Sequence, residues 1–184
     1  MKSQSAKGPK SFSRLMIAAV SLSIWLCTPA SVLGQSNGCV LVPDSRNPSE
    51  KILRCGSNLT IRSAPNTAYS LSNPDNRRQP GGARLDSGAL LIEFTPNEGL
   101  RNFRILTPQA ITAVRGTRWA VEVRPGQTST LVLSGSVGVT QRNTSRGVVL
   151  GPGEGVDVSA GTGPLVVKRW DQTRIDALMA RFGQ

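Results

Sequence analysis

Between Asn58 and Lys168 the chain runs as short apolar or alternating stretches, each closed off by Gly, Pro, Asn or Asp. This spacing constrains the fold more than any other feature. Asn58–Arg62, Phe103–Thr107 and Arg118–Val123 alternate apolar and polar residues, the period of a half-buried strand. Ala89–Phe94 is apolar except for Glu93, the pattern of a strand buried on both faces. Ser129–Leu133, Ser136–Thr140, Gly147–Leu150, Val156–Ser159 and Leu165–Lys168 are equally short and rich in Val, Leu and Thr. Short strands recurring at roughly 8–14 residues predict an all-β unit rather than βαβ units.

A small residue and a glycine precede four of these stretches: Cys55-Gly56, Ser87-Gly88, Ser134-Gly135 and Ala160-Gly161. The intervals between them are unequal, so there is no fixed period. Ordinary tight turns account for them, and so do the corners of an irregular solenoid. The expected fold class is all-β, an irregular β-solenoid or sandwich-like unit. Residues 63–86 gather turn formers (Pro65-Asn66, Asn73-Pro74-Asp75-Asn76, Gln79-Pro80-Gly81-Gly82) around Arg77-Arg78. They read as a linking loop or one long hairpin. From Trp170 to Phe182 the period changes: Ile175, Leu178, Met179 and Phe182 fall at i, i+3, i+4, i+7. Asp171 suits the N-cap and Gly183 the C-terminal stop. The polar face of this amphipathic helix mixes Arg174, Asp176 and Arg181. It is expected to cover an open end or edge of the β unit rather than lie on a membrane.

The segment 1–34 reads as a secretory signal peptide. Lys2, Lys7, Lys10 and Arg14 precede an apolar run from Leu15 to Leu26, followed by a Pro- and small-residue stretch to Gly34. Twelve residues at 1.5 Å each do not cross a bilayer core of about 30 Å. Continued to Leu33 the run nearly does, so an uncleaved anchor stays open. Of the formal charge of +11, four bases lie in this segment, leaving +7. The remaining bases are scattered, and sixteen of the eighteen are arginine. Such a surface fits solubility or planar anion pairing.

Chemistry is sparse. The chain has no histidine, which removes imidazole bases, Ser–His and Cys–His pairs and histidine metal sites. No local motif nominates a carboxylate pair of the kind a glycosidase needs. Gly151-Pro152-Gly153-Glu154-Gly155 lacks the Lys and Ser/Thr of a phosphate-cradling loop and reads as a turn before Val156. Few aromatics lie among the bases, which argues against single-stranded nucleic acid. No cofactor, metal or catalytic residue is nominated. Cys39 and Cys55, sixteen positions apart, read as a disulfide in an exported chain, worth about 3 kcal/mol by loop closure. Two thiolates without histidine partners are the poorer, metal-binding alternative.

One stretch is distinctive. Phe103 to Val121 reads as strand, Thr107-Pro108 turn, strand, Arg115-Gly116-Thr117 corner and strand. Downstream come Ser134-Gly135-Ser136-Val137-Gly138-Val139 and Val149-Leu150-Gly151-Pro152-Gly153-Glu154. This order resembles the FecR domain family: a Thr-Pro-x-Ala segment, Val-Arg-Gly-Thr with an aromatic strand, a Gly-x-Val-x-Val strand and a Leu-x-x-Gly-Glu turn. The resemblance covers about residues 85–160, and Val114–Thr117 followed by Trp119 is its most specific part. With the cysteine pair and the lead from Val166 into the helix, the layout is similar to stand-alone exported FecR-domain proteins of Gram-negative bacteria. The resemblance implies a β-rich, solenoid-like domain. The family's best-known members regulate ferric-siderophore uptake from the inner membrane. They combine a cytoplasmic anti-sigma segment, one transmembrane helix and a periplasmic domain that takes a signal from an outer-membrane transporter. Only the short stretch Met1–Arg14 precedes the apolar run here, so an anti-sigma segment is not expected.

The motif also has a purely structural reading. Gly116 allows a corner without a Cβ, and Thr117, Trp119, Val121 and Val123 would then face the core. Val114, Gly135, Gly153 and Glu154 complete this structural set. Arg115 and Arg118 are the candidate partner-binding residues, either paired with Glu93 or Glu122 or free for an acidic partner. The expected layout is signal peptide 1–34, disulfide-tied β segment and loop 35–84, FecR-like β domain 85–169 and helix 170–184. The expected function is a periplasmic or secreted module for protein interaction or sensing, without catalysis. The alternative binds or hydrolyses an envelope polymer. The expected partner is an envelope protein or acidic envelope polymer. Nucleic acid is not expected, and a membrane only if the signal is uncleaved.

Overall fold

The computed structural model describes residues 38–44, 51–73, 79–161 and 163–184, so the signal-like segment and Arg77-Arg78 lie outside the described residues. The described residues form β1 (Cys39–Pro43), β2 (Lys51–Cys55), β3 (Leu59–Ser63), β4 (Ala68–Ser72), β5 (Gly82–Phe94), β6 (Phe103–Leu106) and β7 (Ala110–Val114). They continue as β8 (Thr117–Arg124), β9 (Gln127–Ser134), β10 (Val137–Gln141), β11 (Gly147–Leu150), β12 (Glu154–Ser159), β13 (Val167–Arg169) and α1 (Gln172–Ala180). The all-β class with one C-terminal helix is as the residue pattern predicts.

The long strand β5 organises everything else. Its second half, from Gly88 to Phe94, pairs with β3 on one side and β8 on the other. Its first half pairs with β4 and β6. One sheet (sheet A) therefore runs β1-β2-β3-β5-β8-β9-β12-β13, and the other (sheet B) runs β4-β5-β6-β7-β10-β11. All ladders are antiparallel except β5–β6. The strand passes between sheets at Gly88, whose φ is +87° and where a Cβ would lie 2.4 Å from the Thr67 hydroxyl oxygen. Only glycine tolerates both conditions. The Thr67 hydroxyl holds the bend, accepting from the Ala89 amide at 3.1 Å and donating to its carbonyl at 3.2 Å. Residues 63–86 thus hold β4 and the first half of β5, an antiparallel pair.

The inward faces of the two sheets meet in one apolar core. Ile61, Leu90, Ile92, Trp119, Val121, Val132 and Val156 of sheet A pack with Leu85, Phe103, Ile105, Val114, Val137, Val139 and Leu150 of sheet B. Trp119 meets Phe103 edge-on, with centroids 6.4 Å apart. Alternation then puts Ala89, Leu91, Ala120 and Leu131 on the opposite face of sheet A, where they pack under Leu178, Met179, Phe182 and Trp170. The run Ala89–Phe94 is apolar but for Glu93 because it is buried between sheet B and α1. The helix covers a sheet face rather than an end or edge. An amphipathic stripe needs a broad apolar surface, and the small alanines of sheet A provide it. Asp171 caps α1 as expected, its carboxylate accepting from the Arg174 amide at 2.9 Å, and Gly183 follows with φ +66°.

Cys39 and Cys55 are disulfide-bonded and directly opposite in the β1–β2 ladder.

Candidate functional site

The Val114–Trp119 motif is the crossing from β7 in sheet B to β8 in sheet A. Gly116 turns this corner with φ +70°. Val114 and Trp119 are buried on either side of it, and Thr117 donates its hydroxyl to the Ser136 carbonyl at 3.0 Å. Gly135 (φ +84°) lies against the corner, where a Cβ would come within 2.4 Å of the Gly116 carbonyl oxygen. The two glycine-bearing pieces of the motif are therefore one packed unit. At the downstream turn, Gly153 has φ +77° and the Glu154 carboxylate accepts from the Gly151 amide at 2.7 Å. Glu154 closes its own turn.

The two candidate arginines have different environments. Arg118 donates to Glu93 at 3.0 Å, its cross-strand neighbour, and also reaches the Gln184 side chain. Arg115 is exposed and has no ion pair among the described residues. Reasoning from sequence missed Arg62, which bridges buried Asp44 at 2.8 Å and Glu93 at 3.6 Å. It also missed Arg181, which reaches the buried Glu122 carboxylate from the C-cap of α1 while Arg124 approaches it at 3.1 Å. The acids that come together are thus held by arginines. Four surface grooves are lined by described residues, and none of these four carries two acids.

A second cluster fixes α1 to β12. The Trp170 ring sits directly over Gly155, where a Cβ would be 2.3 Å from the indole nitrogen. The Arg174 guanidinium lies 3.5 Å from the Trp170 ring centre and donates to Asp157 at 2.6 Å. Ser129 donates to the same carboxylate at 2.6 Å. Partial burial pushes the Asp157 carboxyl up, but the hydrogen bonds from Arg174 and Ser129 and the nearby Arg174 and Lys168 charges outweigh it. The carboxyl is held below its ordinary value.

The outer face of sheet B contrasts with that of sheet A. The registers place Leu106 opposite Ile111, Arg104 opposite Ala113, and Gly138 between Ala113 and Val149. Gly82 and Arg84 on β5 continue these rows through the parallel β5–β6 ladder. Strands β4, β6, β7, β10 and β11 contain no acidic residue, and the first half of β5 contributes only Asp86, paired with Arg84 at 2.7 Å. Arg104 is exposed and has no ion pair among the described residues. A groove of about 700 Å³ runs here over Ser70, Ser72, Gly82, Arg84, Arg104, Leu106 and Ile111.

The described residues thus form a two-sheet β module with a helix on the outer face of sheet A and a basic, acid-poor outer face on sheet B. The family model described as FecR protein matches residues 47–138, half of the chain, and the chain belongs to the FecR family. Among solved structures, a candidate anti-sigma factor from Parabacteroides distasonis ATCC 8503 shares the fold with TM-score 0.52 and 18% identity, over 77% of this chain and 59% of that one. A second structure from the same organism, also a candidate anti-sigma factor, has TM-score 0.46 and 19% identity over 66% of this chain and 64% of that one. The chain therefore spans about three-fifths of the length of these structures. No curated protein matches it. Among the described residues no helix is long and apolar enough to cross a membrane.

Proposed function

We propose that this chain is an exported FecR-domain module that binds a protein partner in the bacterial envelope, in a sensing or signalling role and without chemistry of its own. Residues 1–34 direct export, 35–84 and 85–169 build the β module, and 170–184 complete it. The observation that carries this reading is the contrast between the two outer faces. One is sealed by α1 through Leu178, Met179 and Phe182, and the other presents arginines and small residues. Membership of the FecR family supports the signalling role. The Cys39–Cys55 bond suits an oxidising compartment. Arg115, exposed beside the corner, faces the partner, whereas Arg118 is engaged by Glu93 and Gln184. The hydrolase alternative is weakened because Asp44 and Glu93, the acids brought together on Arg62, are ion-paired.

Cell fractionation with intact mass measurement tests the export half of this reading. The expected product begins at Gln35, has no free thiol at Cys39 or Cys55, and is found in the envelope fraction. A full-length, reduced chain in the cytoplasm would contradict it.

A further inference from the structure

We infer that the outer face of sheet B binds an acidic, extended peptide segment of the partner protein, with an aliphatic side chain of that segment seated on Leu106 and Ile111. The inference rests on the interaction reading above and names the surface and the chemistry it accepts.

Three observations select this occupant. The first is charge. Arg104 has no ion pair among the described residues and Arg84 is half-exposed beside it, with Asp86 the sole acid on this part of the sheet. An anionic ligand is favoured, and a second copy of this chain would bring arginine against arginine about a symmetry axis. The second is shape. Leu106 and Ile111 are cross-strand neighbours and make an apolar floor, flanked by Gly82, Ala113 and Gly138, which project almost nothing. A peptide backbone can approach closely over such residues, and the groove of about 700 Å³ lies within the range of ligand sites. The hydroxyls of Ser70 and Ser72 line the same groove and can bond backbone amides or carbonyls. The third is the lack of an aromatic platform. The one aromatic residue of β4, Tyr69, packs toward the core, and Phe103 of β6 is buried. A sugar ring would therefore find no ring to stack upon, which separates a peptide from an acidic polysaccharide.

The ion pair between Arg84 and Asp86 adds to this picture. Both side chains are about half exposed, at 51% and 50%, and an exposed pair of this kind is worth at most about 1 kcal/mol. Arg84 can therefore turn from Asp86 to a ligand carboxylate at little cost. Two guanidiniums on adjacent strands, spaced by the β5–β6 ladder, match acids at alternate positions of an extended chain.

The test is a binding titration of the full chain with a short glutamate–leucine peptide, Glu-Ser-Glu-Ser-Leu, whose acids and leucine share one face of an extended chain. The matching lysine–leucine peptide, polyglutamate and an oligogalacturonate serve as comparison ligands. The glutamate–leucine peptide is expected to bind best, and binding should weaken as salt rises. Arg104→Glu should weaken it about tenfold or more, the scale of one lost charge-assisted hydrogen bond. Ile111→Ser, which leaves the charge unchanged, should weaken it several-fold. Arg54→Glu, the same charge change at an exposed position on β2 of the other sheet, should leave it within twofold. Thermal melts of each variant establish that folding is retained. Equal losses from Arg54→Glu and Arg104→Glu would overturn the inference, since the attraction would then be general. So would an oligogalacturonate that binds more tightly than the peptide, or a peptide that does not bind at all. A partner protein crosslinked in cells through another surface, beside a failed titration, would overturn this groove and leave the interaction reading standing.

Discussion

The carbonyl oxygen of Gly116 occupies the space where a side chain on Gly135 would begin: a Cβ there would lie 2.4 Å away. The corner of the Val114–Trp119 motif and the start of β10 are therefore a single packed feature. Gly135→Ala combines backbone strain at φ +84° with this clash, and should destabilise the protein by about 2–3 kcal/mol. Gly126→Ala is the matched comparison, because Gly126 also has positive φ (+76°) but no atom within 4 Å of the added Cβ. It should lose only the strain, about 1–2 kcal/mol. Urea unfolding of both variants measures the difference, and equal losses would show that the contact with Gly116 is unimportant.

The disulfide joins residues that face each other at the end of the β1–β2 ladder away from its connecting loop. β1 is an edge strand with Val40 and Leu41 exposed, so it has few other contacts to hold it. Replacing both cysteines by serine should lower stability by about 3 kcal/mol in the loop-entropy account. Reductant should lower the melting temperature of the wild-type chain and leave the double variant unchanged.

Helix α1 is held by apolar contact first. Leu178 is buried among Ala120, Leu131 and their neighbours on sheet A. Leu178→Ala should cost about 2–5 kcal/mol, and Gly155→Ala should displace the Trp170 ring that rests on it. Tryptophan fluorescence follows both, because Trp119 stays in the core while Trp170 gains solvent as the helix loosens. A Gly155→Ala protein with unaltered emission would show that the ring has room to move.

The Asp157–Arg174 pair adds a pH-dependent part. The Asp157 carboxyl titrates below its ordinary value in the folded protein, so its contribution is present above the unfolded value of about 3.9. It is lost as pH falls through the lower, folded value. The stability difference between the wild type and Asp157→Asn should be constant above about pH 4 and shrink at more acid pH. A difference that grows on acidification would reverse the sign of this account.

The strands were legible because two-residue alternation survives where one face is buried, as in Phe103–Thr107, and Arg118–Val123 keeps enough of it although α1 covers its second face. The helix and its Asp171 cap were legible for the same local reason. What stayed hidden was non-local. Ser87-Gly88 reads as a turn before a strand, yet it is a bend within β5, because Thr67 holds the backbone on both sides of it. The helix-covered face of sheet A was written in Ala89, Leu91, Ala120 and Leu131, but small residues on a strand do not announce what lies over them. Arg115 was visible through its motif. The groove beside Arg104 was not, since Leu106 meets Ile111 only through the β6–β7 register.

The central claim is that sheet B, and not the helix-covered side, meets a partner protein. The direct measurement places a photo-crosslinking residue either at Ala113, in the middle of the bare face, or at Ala177, exposed on α1, in the chain expressed in its native host. A discrete protein adduct is expected from position 113 and none from position 177. Adducts from 177 alone would contradict the claim.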